Sequence, residues 1–212
     1  MTARRGSNVP LDPPIFHITH VENLDGIVEA GFLFSDAACR AGSARPRNIG
    51  YSHIKERRLR RKVPCAAKGR LGDYVPFNFC PRSVMLYVVA NGHDDYRGGQ
   101  DDIVHLRSKV STAVALGQPW AFTDRHAEVE HALFFDDLQH LHEIDWSVMP
   151  KRFWNNPPEM KEKRQAEFLV HERFAWQAID EIACIGQEIA ERVLRLVGED
   201  GPAVRVRPQW YY

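Results

Sequence analysis

The sequence predicts an α+β domain: a mainly antiparallel, split sheet with a few short helices. Three observations carry that expectation. Short alternating or β-branched apolar segments recur along the chain, at Ile15–His20, Ser83–Ala90, Ile103–Leu106, Glu167–Val170, Ile182–Ile185 and Val204–Pro208. Helical patterns are few and do not alternate with strands as a parallel βαβ sheet would require. At 212 residues the chain can bury one substantial core. The expected organisation is a loose arm over Met1–Pro14, with its Gly, Ser, Asn and three prolines, followed by a single domain over 15–212.

Lys+Arg 28 against Asp+Glu 28 leaves no net charge, so a polyanionic partner must be met by a local patch. Cys39, Cys65, Cys80 and Cys184 lack CxxC spacing and read as reduced thiols, not a disulfide frame or zinc site. No apolar run reaches the length of a membrane span, and the N-terminus lacks the apolar core of a signal peptide. A cytoplasmic protein is expected.

Taken in order, Ile15–His20 alternates as a strand. Leu24, Ile27 and Val28 then have helical spacing, with Asn23 as N-cap and Gly31 as stop. His17, Thr19 and His20 thus lie at a strand end beside a helix N-terminus, a place for an anion or nucleotide. The HxxH pair alone is no zinc signature, and a core histidine beside an exposed one explains it equally well. Ala37–Ile49 reads as a loop. Ile49–Val63, short helix or loop, gathers Lys55, Arg57, Arg58, Arg60, Arg61 and Lys62, either a solvated face or a phosphate surface. Leu71–Pro81 suits edge strands or a strand-loop-strand turn, where Tyr74 can stack on a flat base or simply fill the core.

Ser83–Ala90 reads as the clearest buried strand, Ser111–Leu116 is ambiguous, and Glu128–Leu138 is weakly helical or a loop. Asp145–Pro158 interleaves Trp146, Phe153 and Trp154 with Lys151 and Arg152, which fits a single-stranded nucleic-acid contact or a hydrophobic lid. Charges from Glu159 to Arg164 read as a basic loop leading to Glu167, at the start of a core strand. A carboxylate there must be solvated by a cleft, paired or neutralised, with Arg164 or Lys163 as simple partners. Gln187–Leu196 reads as an amphipathic helix and Val204–Pro208 as an edge strand.

No GxSxG, P-loop or Rossmann glycine pattern is present, which argues against those hydrolase and nucleotide-binding classes. The parts suit a transfer through a positively charged sugar: a carboxylate for the oxocarbenium ion, arginines for a diphosphate, a ring for the leaving group.

Five blocks sharpen this reading: His17-Ile18-Thr19-His20 with Glu22-Asn23-Leu24; Ile49-Gly50 through Ile54-Lys55-Glu56-Arg57-Arg58; Asp73-Tyr74-Val75-Pro76-Phe77 with Met85-Leu86-Tyr87; Gly99-Gln100 through Ile103-Val104-His105-Leu106; and Lys163-Arg164-Gln165-Ala166-Glu167-Phe168-Leu169-Val170. In this order, and over nearly the whole chain from Ile15, they resemble the DarT family, DNA ADP-ribosyltransferase toxins of bacterial toxin–antitoxin pairs. The resemblance implies a diphtheria-toxin/PARP-like ADP-ribosyltransferase fold, NAD as donor, single-stranded DNA as acceptor and no metal. It makes Glu167 the catalytic glutamate and Arg58 the essential arginine that grips NAD and assists removal of the base proton, with Arg57 the alternative one position away. His17 and Thr19 would meet the nicotinamide side of NAD, Asn23 would add a contact, and Tyr74 and Phe77 would line the pocket. The segment from His126 to Arg164 would recognise DNA, with His126, Lys151, Arg152, Trp154 and Arg164 as contacts.

The GQDDIVHL and DYVPFNF stretches resemble the thymidine-modifying branch, whose acceptor is thymine N3 in an unpaired base; the other branch modifies guanine. The family also implies a DarG-like macrodomain antitoxin that removes the mark. An RNA- or protein-directed transferase is the alternative; protein-modifying relatives often carry a second acid where Gln165 stands, but some use glutamine there, so the position does not decide. A catalytically silent nucleic-acid-binding domain is the alternative from another class.

Overall fold

The computed structural model describes residues 9–42 and 46–212. The chain runs through β1 (Pro14–His20), α1 (Leu24–Ala30), β2 (Phe32–Phe34), α2 (Asp36–Ala41) and α3 (Ser52–Arg58). It continues through β3 (Tyr74–Asn78), α4 (Val84–Asn91), β4 (Ile103–Lys109), α5 (Val110–Ala115), β5 (Trp120–His126) and β6 (Phe134–Phe135). Last come α6 (Pro158–Lys163), β7 (Ala166–His171), β8 (Arg173–Ala175), β9 (Glu181–Cys184), α7 (Gln187–Val197) and β10 (Ala203–Val206). Eight strands form one sheet in the order β10-β9-β4-β1-β3-β7-β5-β6, antiparallel except for the β9–β10 edge pair, while β2 and β8 pair separately. This is the expected α+β architecture.

The expected split lies between β1 and β3, which pair only at Phe16↔Asn78, whereas β3 follows β7 from Tyr74↔His171 to Asn78↔Glu167. Pro76 sits in this internal strand, so the edge-strand expectation for Leu71–Pro81 is corrected. Its carbonyl faces β1, where the His17 ring donates to it at 2.8 Å. In an antiparallel strand a residue's N–H and C=O face the same neighbour, so the donor that proline lacks belongs to the split and no β7 bond is lost.

Side-chain alternation along β1 and β4 divides the interior. Ile15, Val104 and Leu106 join the main core with Phe77, Phe122, Phe168 and the α7 residue Val193. Ile18 and Ile103, from the opposite face, pack with Leu86 and Val89 of α4 and with Tyr211. Each fully buried side chain of this size contributes about 1.5–3 kcal/mol.

Ser83–Ala90 is not a strand: α4 occupies it. The Ser83 hydroxyl caps the helix by accepting from Leu86 N at 3.1 Å, and Gly92, at φ 73°, ends it. An all-apolar run carries no period by which helix and strand can be told apart. Part of the loop expected at Ala37–Ile49 is α2, capped by Ser35, and the basic loop before Glu167 is α6, with Pro158 at its first turn. Ser111–Leu116 is largely helical, as α5. The arm expected at Met1–Pro14 lies outside the described residues up to Asn8. From Val9 onward it is docked: Val9 packs on the main core, and the Asp12 carboxylate accepts from Ser111 N at 3.1 Å and Oγ at 2.8 Å.

His105 is fully buried on β4, its Nε2 donating to the Pro81 carbonyl at 3.0 Å, and burial lowers its pKa from 6.5 to about 4. The unfolded chain therefore binds a proton that the folded one refuses between those values. His105's contribution to stability is full above pH 6.5 and is lost as the pH falls toward 4, a loss of about 3 kcal/mol. Urea midpoints measured across this range should fall with acidification, and the slope should flatten in His105→Asn.

Candidate active site

The split opens a cavity of about 460 Å³ whose wall includes His17, Thr19, Asn23, Arg58, His126 and Glu167. Its size suits a nucleotide-class ligand. The ring of His17 is fixed by the Pro76 carbonyl, which can only accept, so Nδ1 carries the proton and Nε2 remains an acceptor. Burial lowers the His17 pKa, with the Pro76 hydrogen bond opposing it. His17 and His20, three apart on a strand, face opposite sides, so the HxxH pair cannot chelate one ion. Among the described residues no group of three His, Cys, Asp or Glu is placed to hold a metal.

Glu167 lies at the second position of β7, buried and facing Arg58. Arg58 Nη1 donates to both carboxylate oxygens, at 2.9 and 3.1 Å. The simple partners Arg164 and Lys163 are engaged elsewhere, Lys163 with Asp145 at 3.4 Å. Arg58 Nη2 is buried and has no partner among the described residues, so the cavity wall holds one unsatisfied cationic donor. Such a group is costly unless a ligand completes it.

Neighbouring elements set this pair. The N-terminus of α3 is fixed by Asp95, whose carboxylate accepts from Ser52 N at 2.9 Å. Its far end packs on Gly72, where a Cβ would meet Leu59 Cδ2 at 2.5 Å, so any side chain there would displace Leu59. Arg57 turns away to Glu128 at 2.8 Å, and Arg61 donates to the Val129 and Glu130 carbonyls, tying α3 to the β5–β6 connection. Opposite Glu167 the β5 strand bulges: its pairing with β7 shifts between Phe122↔Phe168 and His126↔Ala166. Within the bulge Thr123 Oγ1 accepts from Glu167 N at 3.0 Å and donates to the Arg125 carbonyl at 2.7 Å. The bulge also re-aims His126 into the cavity wall. Burial lowers the His126 pKa, Glu167 opposes, and Arg58 adds to the lowering.

Asn23 precedes α1 as expected but makes no cap. Its amide clasps the backbone of Arg47, accepting from N at 2.7 Å and donating to O at 3.1 Å, and donates to Thr19 Oγ1 at 3.0 Å. Arg47 also pairs with Glu22 at 2.8 Å, and His93 Nε2 donates to the Ile49 carbonyl at 3.1 Å. The segment around Arg47–Tyr51 is thereby pinned as one side of the cavity.

Tyr74 and Phe77 do not line it. Tyr74 is buried in a separate cluster with its hydroxyl donating to the Lys68 carbonyl at 2.7 Å, and Phe77 packs beneath His17 and on Phe174. Both lie on an internal strand, so their rings fill the core. Asn78, paired in register with Glu167, Tyr51 and Met85 are in the wall instead.

The protein-family model described as ssDNA thymidine ADP-ribosyltransferase, DarT, matches residues 16–212. The chain belongs to the DarT family. A DNA ADP-ribosyl transferase of Thermus sp. (strain 2.9) is 45% identical over 207 residues, covering 96% of this chain and 98% of the relative. One from Mycobacterium tuberculosis is 30% identical over 214 residues, covering 96% and 90%. Among solved structures, Thermus sp. 2.9 DarT in complex with ADP-ribosylated ssDNA is similar at TM-score 0.91 and 44% identity, over 96% of this chain and 98% of that one. Thermus sp. 2.9 DarT in complex with NAD+ gives TM-score 0.88 at 41% identity, over 97% and 100%. The fold is that of the DarT ADP-ribosyltransferases.

Of the DNA contacts expected from the DarT resemblance, two are corrected by burial. Arg164 is an internal staple, donating to the carbonyls of Val148 at 2.6 Å, Met149 at 2.7 Å and Arg82 at 3.0 Å. Trp154 is buried against Tyr87, with Nε1 donating to the Tyr212 hydroxyl at 3.1 Å. Both belong to the loop's foundation, because a residue that satisfies three carbonyls or packs edge-on in an aromatic cluster has no face left for DNA. Lys151 and Arg152 are exposed.

Sequence reasoning missed Thr123, whose only signal is a hydroxyl in the middle of the Trp120–His126 strand. It also missed Asn78, a polar side chain among strand residues that face the core.

Proposed function

We propose that this chain transfers ADP-ribose from NAD to thymine N3 in single-stranded DNA, as a cytoplasmic toxin whose mark a macrodomain antitoxin reverses. The observation that carries the reading is the buried Arg58–Glu167 pair with a spare Arg58 donor in the wall of a nucleotide-sized cavity. The family description, ssDNA thymidine ADP-ribosyltransferase, supports the acceptor, and the Thermus relative seen with NAD+ and with ADP-ribosylated ssDNA supports both substrates. No helix among the described residues is long and apolar enough to cross a membrane.

NAD supplies an ADP-ribosyl group already activated by its positively charged leaving group. Arg58, in the cavity wall, holds Glu167 in register through Nη1, and its buried Nη2 is committed to no other group among the described residues. Glu167, paired with Arg58 and shielded from water, stabilises positive charge as it grows on the ribose. His17 offers the lone pair of Nε2 and Thr19 its hydroxyl on the first-strand side. The N3 proton of thymine must leave as the new bond forms, which needs a base. An arginine stays cationic throughout the working pH range, so Arg58 assists by its field. His126 is the wall residue with a ring nitrogen for that proton: burial lowers its pKa and so keeps the lone pair free, while the Glu167 carboxylate favours the imidazolium that would form.

Asn23 acts through the segment it clasps. Asn23→Ala should raise KM for NAD about tenfold, with kcat little changed, because two backbone hydrogen bonds and the support of Thr19 are lost together. Steady-state kinetics read this directly. The proposed activity is tested by nicotinamide release with and without a thymine-bearing oligonucleotide. Release that depends on the oligonucleotide supports the transferase, and binding of DNA without release of nicotinamide would make the chain a silent nucleic-acid-binding domain.

A further inference from the structure

We infer that Phe153 is a stacking platform for an unpaired base next to the target nucleotide, with Lys151 and Arg152 holding the phosphates on either side. The inference rests on the reading of single-stranded DNA as acceptor and adds to it the residue that grips the strand outside the cavity.

The segment from 150 to 163 is an excursion whose two ends are closed by one guanidinium. Arg164, at its end, donates to the carbonyls of Val148 and Met149 at its start and to Arg82, just before α4. In the middle, Trp154 is sunk against Tyr87 at a centroid distance of 5.3 Å and bonds the Tyr212 hydroxyl. Tyr212 in turn donates to the Arg82 carbonyl at 2.9 Å. The loop is therefore anchored at both ends and at one internal ring, which fixes what its tip displays.

The tip displays Phe153 at 86% relative exposure, with Lys151 and Arg152 exposed just before it. Neither cation has a carboxylate partner among the described residues, whereas most other cations near the cavity do: Arg47, Lys55, Arg57 and Arg58 are all paired. A phenylalanine ring held in water by a rigid support, beside two unpaired cations, offers what a single strand needs: a π-face for a base and charge for its backbone. The loop is joined to the cavity wall through α4. Tyr87, the ring on which Trp154 rests, belongs to α4, and the α4 residues Val84, Met85 and Val88 line the cavity. The loop also leads through α6 directly to Gln165 and Glu167.

The test measures binding and transfer with a fluorescent single-stranded oligonucleotide carrying one thymine, in wild type, Phe153→Ala and Phe153→Trp. Phe153→Ala should weaken oligonucleotide binding about tenfold with NAD affinity unchanged, and Phe153→Trp should retain it. The decisive arm replaces each base flanking the thymine in turn by an abasic site. One such site should weaken the wild type as much as Phe153→Ala does, and should have no further effect in that variant, the signature of a shared contact. Wild-type binding by Phe153→Ala, or a loss equal for every abasic position, would overturn the stacking role. Failure of the wild type to bind or modify any oligonucleotide would overturn the DNA reading itself, a result distinct from either.

Discussion

Glu167→Gln should lower the rate of ADP-ribose transfer about a thousandfold while leaving NAD and oligonucleotide affinity nearly unchanged. The substitution keeps the shape of the side chain and an acceptor for Arg58, but removes the negative charge that the proposed mechanism sets against the reacting sugar. A fixed charge in a water-poor site acts on the transition state far more than on the bound ground state, so kcat and not KM should fall. Glu167→Ala should be as inactive and less stable, because it strands a guanidinium whose side chain is 10% exposed, at a cost of about 3–5 kcal/mol. DNA binding should survive even there. Single-turnover kinetics beside thermal melts separate the two effects. A Gln variant with a tenth or more of wild-type rate would show that the carboxylate charge is not what drives transfer.

Arg58→Ala should also abolish transfer, and Arg57→Ala should stay within a few-fold of wild type. The two arginines are adjacent in sequence and opposite in environment. Arg58 is buried and shares both oxygens of Glu167, whereas the Arg57 side chain is 59% exposed in its pair with Glu128. Losing Arg57 unpairs Glu128, whose side chain is 7% exposed, and so costs stability away from the reacting groups, whereas losing Arg58 leaves Glu167 itself without its counter-charge. Arg58→Lys should not rescue, since lysine has one nitrogen where Arg58 has two held apart in a rigid plane, Nη1 on Glu167 and Nη2 free of any other partner among the described residues. Rate measurements on all three variants check the order. Greater damage from Arg57→Ala would move the essential position by one residue.

Much of this was legible in the sequence, for identifiable reasons. The strands at Ile15–His20 and Glu167–Val170 announce themselves by alternation or β-branching, and the α7 helix by a stripe through Ile189, Val193 and Leu196. Glu167 was visible because an acid at the start of an apolar strand needs an explanation. Three things were not legible. The α4 helix has apolar residues all round, so it carries no period. The burial of Tyr74, Trp154 and Arg164 depends on partners far away in the chain, such as Leu169, Tyr212 and Arg82. The β5 bulge that orients Glu167 through Thr123 is a matter of register between two strands, which one strand's sequence cannot express. Phe153 and Trp154, neighbours of like chemistry, divide into display and anchor only once the fold is known.

The most direct test of the central claim is mass spectrometry of short single-stranded oligonucleotides incubated with the protein and NAD, in sets containing thymine, guanine or neither. The account predicts the gain of one ADP-ribose on the thymine set alone, lost with Glu167→Gln. A gain on guanine would keep the chemistry and change the base, and no gain on any set by folded protein would contradict the account.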